Sequence, residues 1–139
     1  MTLTDIATAE VATIEPDVGV RDALSMMDDR NIGSVVVTEN GAPTGIVTDR
    51  MIAMSLRDAN AIDDVSVRDV MTADLITIEE DATHFHALET LSEHGIRRLP
   101  VTDSDGSLTG IITLDDLVMM TAAELSHASD VIEQQATPM

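Results

Sequence analysis

The chain is written twice. Asp5-Ile6-Ala7-Thr8 lines up with Asp69-Val70-Met71-Thr72, and Val11-Ala12-Thr13-Ile14-Glu15 lines up with Leu75-Ile76-Thr77-Ile78-Glu79. Further on, Ala23-Leu24 and Met27 fall opposite Ala87-Leu88 and Leu91. Ile32-Gly33-Ser34-Val35-Val36-Val37 then meets Ile96-Arg97-Arg98-Leu99-Pro100-Val101. After one extra residue in the second copy, Gly45-Ile46-Val47-Thr48 meets Gly110-Ile111-Ile112-Thr113. A tandem duplication constrains a fold strongly, because each copy is one supersecondary unit that buries its apolar face against its neighbour. With 139 residues there is room for one compact domain or two small subdomains sharing a core.

Both copies read alike. A short alternating strand (Val11 to Ile14, Leu75 to Ile78) leads to a helix, with Asp17 and Asp81 as the expected N-caps. Val20, Ala23, Leu24 and Met27 recur at helical spacing, and the helices are expected to stop at Asn31 and Gly95, residue types that tolerate a left-handed cap. A second strand follows (Ser34 to Thr38, Leu99 to Thr102). Asn40-Gly41 and Asp105-Gly106 then signal tight turns into a third strand ending at Thr48 or Thr113. A closing helix is expected over Asp49 to Arg57 and Asp115 to about Leu125. The expected fold class is therefore α+β, a tandem β-α-β-β-α duplication with units at 1–62 and 63–128. Residues 129–139 read as a C-terminal tail with little to hold it down.

Charge narrows the partners. The formal net charge is −19, and all 7 basic residues are Arg. Such a surface repels itself in dilute salt, whereas at molar salt the Debye length shrinks to about 3 Å. The composition suits a high-salt cytoplasm. Non-specific nucleic-acid binding is disfavoured, because it needs cations on phosphates, and with Phe85 as the sole aromatic residue no base-stacking platform exists. No apolar run is long enough for a membrane helix, and no cysteine offers a disulfide or thiolate.

The unit order, its duplication and the Gly-apolar-apolar-Thr element before each closing helix resemble a CBS-domain pair, often called a Bateman module. The resemblance covers about residues 5 to 125. It implies two units packed with pseudo-twofold symmetry around two clefts, and a stand-alone regulatory module rather than an enzyme. It further implies an adenosine-containing ligand (AMP, ADP, ATP or S-adenosylmethionine-like), a homodimer and a regulated partner protein, with no obligate cofactor. The alternative from a different class is a ligand-independent structural or dimerisation module.

The residues support a site at the second copy. A strand that ends in Thr at a helix start presents unpaired backbone N–H groups and a positive dipole end, which suits an anion. The Thr113 hydroxyl can bond a phosphate oxygen, and Asp116 is an acceptor suited to paired ribose hydroxyls. The same residues also form an [ST]-x-x-[DE] capping box, which needs no ligand. In the first copy Met51 replaces the acid, leaving Thr48 a phosphate or capping role. By the resemblance, the cleft of Asp116 is walled by Val11, Ile32, Gly33 and Ser34. The other, weaker cleft has Thr48, Arg50, Leu75, Ile96, Arg97 and Arg98. Arg97 and Arg98 are suited to bidentate phosphate contacts or to pairing with the abundant carboxylates. Met54, Met119 and Met120 on the closing helices suit either core or interface. His84 and His86 do not share a helix face, and His94 and His127 are isolated, so no metal site is expected, though weak cation binding by the acidic surface stays open. No nucleophile with a paired base and no Walker-type loop is present.

Overall fold

A computed structural model describes residues 2–136. The elements are α1 (Leu3–Ile6), β1 (Thr13–Ile14), α2 (Val20–Arg30), β2 (Ser34–Glu39), β3 (Ala42–Thr48) and α3 (Asp49–Ser55). After a single 3-10 turn come α4 (Val67–Val70), β4 (Ile78–Glu79), α5 (His84–His94), β5 (Arg98–Thr102), β6 (Leu108–Thr113) and α6 (Leu114–Ala136). Each copy forms a three-stranded sheet in chain order, its first pair parallel and its second antiparallel. Registers coincide: Ser34 faces Thr48 as Arg98 faces Thr113, and both hairpins carry an irregularity one step past the central valine.

The local signals explain these elements. Asn31 and Gly95 both adopt the left-handed C-cap, with φ 54 and 62°. Asn40 and Gly41 both take positive φ, as a two-residue hairpin turn demands. Asp103 accepts from the N–H groups of Asp105 and Ser107, closing the longer second turn.

Five elements differ in their bounds from expectation. The first helices begin at Val20 and His84, with Gly19 and Thr83 at the caps, not Asp17 and Asp81. At the first, Val20 N–H donates to the Val65 carbonyl and Val67 N–H to that of Val18, so residues 16–19 are held extended by a distant segment. At the second, the Thr83 hydroxyl accepts from His86 N–H. The leading strands pair only over two residues each. The largest difference is α6, whose 23 residues run far past Leu125. Ala, Glu, Leu and Gln are good helix formers, and no Gly or Pro intervenes before Pro138, so residues 129–136 extend the helix. Residues 137–139 lie outside the described residues.

The cores do not follow the sequence halves. One is built on Ile14, Val20, Val35, Val37, Val47 and Ile52, and it takes in Val65, Val67, Val70 and Met71 from the second copy. The other is built on Ile78, Leu91, Leu99, Val101, Ile112 and Leu117, and it takes in Leu3, Ile6 and Ala7 from the first. The short helices α1 and α4 are thus exchanged between units. Behind each, a backbone pair fastens the exchange: Thr8 to Ile111 in both directions, and Thr72 N–H to Ile46 O.

This exchange accounts for the glycine that opens each motif. A Cβ on Gly45 would lie 2.9 Å from the Thr72 carbonyl oxygen and 2.7 Å from Met71 Sδ. On Gly110 it would lie 3.1 Å from the Thr8 carbonyl oxygen and 3.2 Å from Ala7 Cβ. Both glycines are there for close backbone approach.

Candidate functional site

Two clefts lie between the units. The Thr113 cleft encloses about 270 Å3 and is lined by Thr113 with Val11, Ile32, Gly33 and Ser34, the expected group. The Thr48 cleft encloses about 250 Å3 and is lined by Thr48, Met51, Leu75, Ile96, Arg97 and Arg98. Each Thr is therefore brought to the opposite unit's loop and second strand.

Four polar residues escape sequence reasoning. Thr8 and Glu10 line the Thr113 cleft, and Thr72 and Asp74 line the Thr48 cleft. They sit in the segments behind the exchanged helices. Their matching positions in the repeat are legible, but their placement depends on the exchange.

The clefts correspond position by position. Glu10 stands where Asp74 stands, Val11 where Leu75 does, Gly33 where Arg97 does, and Ser34 where Arg98 does. Two departures break the symmetry. Met51 lines its cleft, whereas Asp116 does not line the other. Arg98 lines both. The arginine pair is therefore not confined to the Thr48 cleft.

At the Thr113 end, the helix start is self-satisfied. Asp116 N–H donates to Thr113 Oγ1 at 3.2 Å, and Asp116 Oδ2 accepts from Thr113 N–H at 2.9 Å. This is the complete capping box. Asp116 Oδ1 takes no hydrogen bond among the described residues and remains an open acceptor. At the other end only half the box forms: Met51 N–H donates to Thr48 Oγ1 at 3.1 Å, and methionine returns nothing. The first helical N–H is used alike in both, Asp49 to the Gly33 carbonyl and Leu114 to that of Arg97.

The cations divide by role. Arg97 reaches Asp115 at 3.6 Å, an exposed pair that offsets the acid beside the Thr113 helix start. Arg50, expected at the Thr48 cleft, is exposed and does not line it, because its position on α3 turns it away from the cleft mouth. Arg21 pairs with Asp63, and Arg68 with Asp17 and Glu39. The Arg68 pairs raise its pKa, chiefly through the bond to Asp17.

Elsewhere, His84 reaches Glu124 at 3.4 Å, His86 reaches Glu89 at 3.5 Å, and His94 Nδ1 lies 2.9 Å from the Thr90 carbonyl oxygen. No group of three or more metal-ligating side chains converges among the described residues. No described helix is long and apolar enough to cross a membrane. Met120 is 7% exposed and belongs to the interior, whereas Met119 is 70% exposed.

The comparisons with known proteins agree with this architecture. The CBS-domain family model matches residues 3–58 and 67–122. An uncharacterised protein of Methanopyrus kandleri is 35% identical over 118 residues, covering 84% of this chain and 60% of its own length. The inosine-5'-monophosphate dehydrogenase of Methanocaldococcus jannaschii is 34% identical over 117 residues, which are 82% of this chain but 22% of that enzyme. The crystal structure of CBSX2 in complex with AMP superposes with a TM-score of 0.74 at 26% identity, covering 90% of this chain and 98% of that one. The chain belongs to the CBS-domain family, as a pair of CBS units.

Proposed function

We propose that this CBS-domain pair is a non-catalytic regulatory module that holds an adenosine-containing ligand in a cleft between its units. The observation that carries this reading is the Thr113 cleft. It sets a mostly apolar wall from one unit against the Thr113 hydroxyl and Arg98 of the other, with Asp116 three residues past Thr113 and outside the lining. An adenine would lie against Val11, Ile32 and Ile111, with the ribose hydroxyls toward Asp116 Oδ1 and a phosphate toward the Thr113 hydroxyl. The solved relative with AMP supports the ligand class. A ligand that touches both units favours one of their arrangements over others, and a partner protein reads that population. The exposed Met54, Val118 and Met119 on the closing helices support assembly with a second copy. The acidic, lysine-free surface supports a high-salt cytoplasm as its setting.

One observation favours a second reading, a structural or dimerisation module that needs no ligand: the Thr113–Asp116 box is complete by itself. Calorimetric titration in molar KCl with AMP, ADP, ATP and S-adenosylmethionine separates the two. Saturable binding that Asp116→Ala removes establishes the sensor. A folded protein that binds none of them leaves the structural module.

A further inference from the structure

Among the described residues Arg98 is the one arginine that is not exposed, and its guanidinium makes no ion pair or hydrogen bond there. That is an unusual state in a chain with 26 acidic residues and 7 arginines. Half-burial without a partner is costly for a cation, because solvent is withdrawn and nothing replaces it. The two clefts supply the setting. Arg98 opens β5, directly across from Thr113 on β6. It lines the Thr113 cleft from within its own unit and the Thr48 cleft from the opposite side. Its counterpart Ser34 pairs with Thr48 in the same register but lines only the Thr113 cleft, because a serine is too short to reach through.

We propose that Arg98 is an anion reader shared by the two clefts, so that an anionic group bound in one withdraws the guanidinium from the other. In the Thr113 cleft the other ionisable lining residue is Glu10, and Arg98 is the sole cation. In the Thr48 cleft Arg98 stands with Arg97 against Asp74, but Arg97 is already engaged with Asp115. One planar guanidinium with fixed donors holds one phosphate or carboxylate at a time. Once it is engaged, the remaining cleft keeps its own carboxylate and loses its free cation. Two anionic ligands therefore bind with opposing effect, and the specificity for a phosphate over its neutral nucleoside resides in Arg98. This rests on the adenosyl-ligand reading for the identity of the nucleoside, but the anion selectivity stands apart from it.

The test titrates AMP, adenosine and inorganic phosphate into the wild type and Arg98→Ser in molar KCl. It follows heat and the amide resonances of Thr48 and Thr113. Serine is what the first unit carries at the matching position, so the variant keeps a side chain the fold already accepts. A thermal melt of each variant confirms that it is folded. For the wild type, the first AMP should bind about tenfold or more tighter than the first adenosine, a gain expected of a charge-assisted bond. The second AMP should bind no tighter than the second adenosine. Phosphate should shift one of the two threonine amides at saturation, not both. In Arg98→Ser the AMP preference and the phosphate response should both vanish, while adenosine affinity holds. Two AMP molecules both preferred over adenosine, or a preference that survives the substitution, would overturn the proposal. If neither AMP nor adenosine binds, the adenosyl reading fails by itself, and the phosphate titration still decides the role of Arg98.

Discussion

The two units share a register, a pair of caps and a glycine, yet they build unequal clefts. At the helix start, one side has a carboxylate that returns a hydrogen bond and keeps an oxygen free, and the other has a thioether that does neither. At the opposite wall, one side has Gly33 and Ser34, and the other has Arg97 and Arg98. The copies agree where backbone and core meet, and they diverge where side chains face the clefts. Duplication thus supplies two sites at once, and substitution at a few cleft positions gives them different chemistry without disturbing either core.

The strongest way to break the comparison is through the cores, where it predicts equality. Ile52 and Leu117 occupy matching positions and are 1% and 0% exposed. Ile52→Ala and Leu117→Ala should each cost about 2–5 kcal/mol, since truncation leaves a cavity that packing cannot refill. Chemical denaturation in molar salt should show one transition for both variants. Two separate transitions would mean that the cores are independent, against the exchange of α1 and α4.

Next come the motif glycines, where the comparison predicts a small inequality. Gly45→Ala should destabilise by about 1–3 kcal/mol, because its Cβ meets a backbone oxygen at 2.9 Å that cannot rotate away. Gly110→Ala, with its closest contacts at 3.1 and 3.2 Å, should cost less. The same denaturation measurement ranks them, and a reversed order would place the tighter exchange at the other unit.

The caps sharpen the contrast further. Asp116→Ala removes one side of a reciprocal box and should cost about 1 kcal/mol, the net worth of a hydrogen bond. Met51→Asp transplants that box to Thr48 and should recover up to about the same amount. A thermal melt reads both, and nucleotide titration of Met51→Asp tests whether a second ribose acceptor raises affinity in the Thr48 cleft.

The smallest effect concerns the exchanged helices. Asp5 and Asp69 are matching residues, each with its pKa held below the ordinary carboxylate value chiefly by accepting a backbone N–H, from Thr2 and Ser66 respectively. A carboxylate with a depressed folded pKa contributes stability above its unfolded value of about 3.9, and that contribution fades as pH falls through the folded value. Asp5→Asn and Asp69→Asn should therefore lower stability slightly at neutral pH and flatten its decline below about pH 4. Both groups are exposed, so acid melts of each variant beside the wild type are the sensitive comparison.

Much of this is legible in the sequence, and most of the remainder has a common cause. The repeat, the αL caps at Asn31 and Gly95 and the hairpin turns follow from local patterns or from aligning the copies, whereas the walls of the Thr113 cleft are what the family resemblance implies. What escapes depends on contacts between residues far apart in the chain. The first cap falls at Gly19 because Val65 and Val67 hold the residues before the helix, a constraint no local window contains. Glu10 and Asp74 escape because nothing in their own neighbourhood says which unit they will face. Adjacency to Thr48 suggests a cleft position for Arg50, and the helical turn carries it away. The length of α6 is the exception, since its run of helix formers up to Pro138 is a local signal for a helix longer than the one expected.

The exchange of short helices also sets how the chain can be made. As the polypeptide emerges during synthesis, Leu3 waits for Ile112 and Leu117 before it has a core to enter. The first sheet, complete by Thr48, lacks Val67 until nearly twenty further residues have followed. Neither half reaches its native packing alone. Cutting the chain between the repeats, at about residue 62, therefore takes away part of each core.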